Sequence, residues 1–226
     1  MAQNKQAQEA VVEEAVNKTE EFLIQNKKTI ISVIVALIVL VGGVVAYKYL
    51  YAIPREHKAQ VALFPGESYF ENGDYETALN GDSILFKGLL NVADEFSGTD
   101  AANLANAYAG LCQAHLGNYA EAIKLLDKFS GSDAMVAPAI KAAIGNCYAE
   151  TENYDKATSY LTKAAKEADS NTLSPIWLMQ AGEIFEKQQK YDDAIKVYTE
   201  IKDTYFRSYQ AMSIDKYIDR AKMQKK

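Results

Sequence analysis

The sequence predicts an all-α protein: an N-terminal transmembrane helix, then an α-solenoid of about four helical hairpins and a C-terminal capping helix. Three observations carry that expectation. Residues 29–47 are an uncharged apolar run. A glycine–aromatic–tyrosine–alanine template recurs four times beyond it. No stretch after residue 56 alternates with the period of two that a half-buried strand requires.

In chain order, Gln6–Asn26 reads as one helix, with Val12, Val16, Thr19 and Leu23 on a stripe and five glutamates elsewhere. We assign 1–28 to a cytoplasmic amphipathic segment, either a solvated extension of the next helix or a docking helix. Residues 29–51 are the expected transmembrane signal-anchor. Its core, TIISVIVALIVLVGGVVAY, spans about 28 Å at 1.5 Å per residue, against about 30 Å of bilayer hydrocarbon. Tyr47, Lys48, Tyr49 and Tyr51 then mix aromatic rings with a charge, as an interfacial belt does. The acidic leader, and Tyr-Lys-Tyr in place of small residues after the run, argue against a cleaved signal peptide. Lys18, Lys27 and Lys28 balance Lys48, Arg55 and Lys58, and the doubled lysine before the span favours a cytoplasmic N-terminus.

Residues 52–226 carry the template Gly-x2-[aromatic]-x5-Tyr-x2-Ala. Its copies are Gly66, Tyr69, Tyr75, Ala78; Gly110, Gln113, Tyr119, Ala122; Gly145, Tyr148, Tyr154, Ala157; and Gly182, Phe185, Tyr191, Ala194, of which only Gln113 departs from the template. Small residues let helices cross closely while the rings wedge between neighbours. This pattern resembles the tetratricopeptide repeat family, whose 34-residue unit is two antiparallel helices, A and B. The units are expected at about 59–98, 103–136, 138–172 and 175–208, with a cap over 209–223. The family's next packing position, on helix B, reads Leu126, Leu161 and Tyr198 in three copies. In the first it falls on Asp82, which an insertion over Leu79–Gly88 explains, with Leu89–Phe96 resuming the helix. Pro65 is expected to kink helix A of the first unit, and Ser174 to cap that of the fourth beside Pro175.

Composition excludes several functions. Residues 56–226 carry 18 Lys/Arg against 25 Asp/Glu, so no basic stripe awaits nucleic acid. Only Cys112, Cys147, His57 and His115 offer thiol or imidazole, with no metal-ligand spacing. The two cysteines hold one template position in adjacent units, on the order of 10 Å apart, so two buried free thiols are expected. No phosphate loop, nucleophile elbow or H-E-x-x-H occurs, and we expect neither an enzyme, a cofactor nor a small-molecule substrate.

The resemblance implies a binding groove along the A helices. Carried onto this chain, it includes Leu63, Glu67 and Phe70; Leu104, Ala107, Leu111 and His115; Asn146 and Glu150; and Met179, Glu183 and Glu186. An apolar floor with an acidic rim suits segments bearing apolar residues and some positive charge. A linker folded into the groove is the competing reading. The clamp for C-terminal carboxylates that some of these repeats carry is incomplete, since Asn146 matches but Ala142 replaces its lysine.

The whole plan resembles the YfgM-like family of bacterial inner-membrane proteins, including the stretch Leu90–Ala107 before the second hairpin. That resemblance implies a periplasmic repeat domain and partners among translocon subunits, periplasmic chaperones and secreted clients. A scaffold for outer-membrane assembly and a cytosol-facing docking receptor of reversed topology are the alternatives.

Overall fold

The computed structural model describes residues 25–82 and 84–225. The expected helix Gln6–Asn26 lies outside the described residues except at its last two positions. The chain divides into two units, Met1–Pro54 and Arg55–Lys226.

Helix α1, Lys27–Tyr47, occupies the first unit and is followed by a π-helical turn, Lys48–Ala52. None of the α1 residues is buried, and Leu40 and Val39 are exposed like their neighbours. A helix this long and apolar meets the length and composition of a membrane span.

All regular secondary structure of the second unit is helical among the described residues. It comprises α2 (Ile53–Glu71), α3 (Tyr75–Asn80), α4 (Leu89–Glu95), α5 (Asp100–His115), α6 (Tyr119–Leu126), α7 (Val136–Glu150), α8 (Tyr154–Ala168), α9 (Ser174–Lys187), α10 (Tyr191–Thr204) and α11 (Ile214–Gln224). Successive helices pair as antiparallel hairpins: α5 with α6, α7 with α8, and α9 with α10. In the first hairpin, α3 and α4 share the B role. Helix α2 runs through Pro65 without interruption to Glu71.

One turn closes all four hairpins. The carbonyl at the template's second position (Tyr69, Gln113, Tyr148, Phe185) accepts the N–H five residues on, from Asp74, Asn118, Asn153 and Lys190. The residue before each donor has positive φ: Gly73 77°, Gly117 80°, Glu152 59° and Gln189 60°. Glycine suits this left-handed geometry in the first two turns, and the last two impose it on residues that carry a Cβ.

Three apolar cores stack along the unit. The first joins Leu63, Leu79, Phe86, Leu89 and Val92 to Ala105 and Cys112. The middle one holds Ala107, Leu126, Ile140, Ile144 and Cys147. The last, around Leu161, Trp177, Leu178, Tyr198 and Ile201, is closed by Ile214, Ile218 and Ala221 of α11. Both cysteines are buried and unpaired.

Two neighbouring side chains on α2 secure the chain where the first hairpin ends and the second begins. The carboxylate of Glu56 accepts the N–H groups of Asp100 (2.7 Å) and Ala101 (3.1 Å), satisfying donors left open at the start of α5. Arg55 donates to the carbonyls of Glu95 (2.9 Å) and Ser97 (2.7 Å), just where α4 ends.

The capping segment differs from the single helix expected over 209–223. The Ser208 hydroxyl accepts the Ala211 N–H, a 3-10 turn follows over Gln210–Ser213, and α11 starts only at Ile214. Ser174 is not the cap of α9, whose N-cap is Leu173. It is fully buried, donating to the Ala165 carbonyl (2.7 Å) and accepting the Ser170 N–H (2.9 Å), so its hydroxyl ties α9 to the end of α8.

Candidate partner-binding surface

The template glycines position the A helices. A Cβ on Gly110 would meet Leu126 at 2.7 Å, and one on Gly145 would meet Leu161 at 3.0 Å. One on Gly182 would run into the Tyr198 ring. Each glycine thus faces the helix-B residue sixteen positions on. In the first hairpin Gly66 faces Leu89 instead, twenty-three positions on. Simple counting gives that place to Asp82, and Leu89, seven residues later, takes it instead.

The Asp82 carboxylate holds that loop. Oδ1 accepts the N–H groups of Ile84, Leu85 and Phe86 at 3.0, 2.8 and 2.9 Å, and Tyr69 donates its hydroxyl to Oδ2 at 3.2 Å. These bonds, led by those from the backbone, lower its pKa to about 2. Phe86 is buried against Tyr69, whereas Ile84 and Leu85 are 87% and 90% exposed.

The expected groove residues divide by burial. Leu63 and Ala107 are each only 4% exposed and belong to the first and middle cores, which corrects their assignment to the binding face. Hairpin packing covers them, so no partner can touch them. Glu67, Phe70, Leu104, Leu111 and Met179 are half-buried, while His115, Asn146, Glu150 and Glu183 are exposed. Glu186 is closed off by Arg220 and by the Tyr198 hydroxyl, which donates to it at 2.9 Å. Burial, and then that carboxylate, push the Tyr198 hydroxyl's pKa upward.

An aromatic cluster joins the first two hairpins. The Tyr75 and His115 rings stack at 4.3 Å and 4°, and Phe70 meets Tyr108 edge-on at 5.2 Å. Phe70 also lies 5.6 Å from Tyr75 and 6.0 Å from His115. Tyr108 was absent from the expected groove. Its signal is an aromatic ring in an alanine-rich helix, two residues before the template glycine Gly110. Burial raises the Tyr108 pKa, and the charges of Glu67 and Glu71 raise it further.

A separate cavity of about 390 Å3 opens between the second and third hairpins, bounded by Phe129, Ile140, Tyr160 and Lys163 among others. No group of three or more His, Cys, Asp or Glu among the described residues is placed to hold a metal ion.

The family described as the Suppressor of spindle checkpoint defect 1 C-terminal domain matches residues 109–208. A solved structure described as the crystal structure of MamA protein is similar at a TM-score of 0.53 and 14% identity, covering 74% of this chain and 91% of that one. At that identity the likeness is one of fold, and it agrees with a tetratricopeptide-like helical array. No curated protein matches the chain.

Proposed function

We propose that this protein is a membrane-anchored scaffold that binds segments of other proteins along its A helices. The observation that carries this reading is that the A helices α2, α5, α7 and α9 carry half-buried Phe70, Leu111 and Met179 together with exposed His115, Asn146, Glu150 and Glu183. Apolar surface next to solvated polar rims is what a partner segment can cover with gain. The apolar α1, with nothing buried, supports a single membrane span, since exposed hydrocarbon on this scale is stable only in lipid. The doubled lysine Lys27–Lys28 supports a cytoplasmic N-terminus and repeats on the opposite side. The resemblance to YfgM-like proteins extends the reading to an ancillary role in protein translocation or the periplasmic chaperone network.

Site-specific photo-crosslinking from Leu111 and Met179, with exposed Lys196 on α10 as control, tests the groove. Adducts enriched at the first two positions are expected, and equal labelling at all three removes the groove as the binding surface. Protease protection of the C-terminal unit in intact cells, lost in spheroplasts, tests the orientation. Digestion only after lysis places the repeats in the cytosol and ends the translocation reading.

A further inference from the structure

The negative charge of the repeat unit is confined to one end. Residues 59–115 contain eight Asp/Glu and one lysine, whereas residues 116–226 contain sixteen acidic and sixteen basic residues. The lysine, Lys87, is bonded to Glu95 at 3.2 Å and so answers one of the eight. Helices α2 from Gln60 onward, α3 and α5 carry no Lys or Arg. On the following A helix, Lys141 is engaged by Glu167. Glu67 and Glu71 make no hydrogen bond or ion pair among the described residues, and Glu71 is exposed. They stand one turn apart on α2 and flank Phe70 in sequence, which places their charge beside the Phe70–Tyr75–Tyr108–His115 cluster.

We infer that this aromatic and acidic face holds a lysine or arginine side chain of a partner's segment, which makes the first two hairpins the charge-selective end of the groove. This rests on the reading of the A helices as the binding surface. Ring faces attract cations, and the attraction strengthens where water is partly excluded, as it is beside half-buried Phe70 and Tyr108. The two carboxylates supply the countercharge, and α2 from Gln60 onward, α3, α4 and α5 bring no Lys or Arg to compete for them. An apolar neighbour in the partner's segment would lie against Leu104 and Leu111, both half-buried.

The full chain in nanodiscs of zwitterionic lipid tests this by fluorescence anisotropy with a short labelled Leu/Arg peptide. A matched Leu/Glu peptide serves as control. The Leu/Arg peptide alone should bind, more weakly as salt is raised. Glu67→Gln/Glu71→Gln, which keeps shape and removes charge, should weaken it about tenfold, and Tyr108→Leu by a smaller factor. Unchanged affinity in the double glutamine variant, or equal binding of the Leu/Glu peptide, overturns the inference. If Leu111 still crosslinks partners in cells in that case, the groove reading stands without it. If Leu111 crosslinks nothing above Lys196, the groove reading itself has failed.

Discussion

Arg220 on the last helix reaches thirty-four residues back and grips Glu186 with two parallel hydrogen bonds, Nε to Oε2 and Nη2 to Oε1, each 2.9 Å. Glu186 is only 11% exposed, so the pair fastens α11 over the fourth hairpin through a carboxylate that water scarcely reaches. Arg220→Ala leaves that carboxylate with the Tyr198 hydroxyl alone. We expect a loss of about 1–3 kcal/mol, held to that range because Arg220 is 40% exposed. Denaturant unfolding measures it. A loss within error would mean that apolar packing by Ile214 and Ile218 suffices to hold the cap.

The template glycines differ in how much they tolerate. Gly182→Ala drives a methyl into the ring of the fully buried Tyr198, whereas Gly145→Ala meets Leu161 at 3.0 Å, where a small shift relieves it. Overpacking of the first kind costs about 1–3 kcal/mol, so Gly182→Ala should lower the melting temperature more than Gly145→Ala. The reverse order would contradict the packing described.

Gln189 sits in the left-handed turn region at a φ of 60°, where the equivalent residues of the first two hairpins are glycine. Gln189→Gly relieves that strain but also frees the unfolded chain. The expected net effect is between zero and about 1 kcal/mol of stabilisation. Gly117→Ala, at 80°, should destabilise by about 1 kcal/mol. Calorimetry on the pair checks the signs.

Ser174→Ala removes a buried hydroxyl that serves two partners, leaving the Ser170 N–H without this acceptor and the Ala165 carbonyl with the Asp169 N–H alone. A loss of about 1–3 kcal/mol is expected, with faster amide exchange at Ser170 as the local signature. Were Ser174 merely a surface cap, exchange there would not change.

Asp82 makes the insertion loop sensitive to acid. Its folded pKa, about 2, lies below the ordinary carboxylate value of about 3.9, so its contribution is complete above about pH 4. That contribution is lost as the pH falls through the folded value. Amide exchange at Ile84, Leu85 and Phe86 should accelerate over that window, and Asp82→Asn should show the acid behaviour at neutral pH. Protection that persists in Asp82→Asn would show that Phe86 burial alone orders the loop.

The sequence by itself determined that the chain is an apolar helix followed by paired helices, because both signals are local. Uncharged length is read along the chain, and the template repeats at the spacing at which one helix must cross another closely. It also placed the break in the first hairpin, since Asn80-Gly81-Asp82 ends a helix where Leu126, Leu161 and Tyr198 continue one. The tertiary structure alone decided which residues are spent inside. Leu63 and Ala107 hold groove positions by counting, yet neighbouring hairpins cover them, and coverage depends on residues far away in the chain. Likewise Glu56 caps α5 across forty-four residues and Glu186 is taken by Arg220 across thirty-four. A carboxylate's role is set by whichever charge or N–H the fold brings to it. For that reason the role inferred for Glu67 and Glu71, which make no hydrogen bond or ion pair among the described residues, could not be read from the sequence.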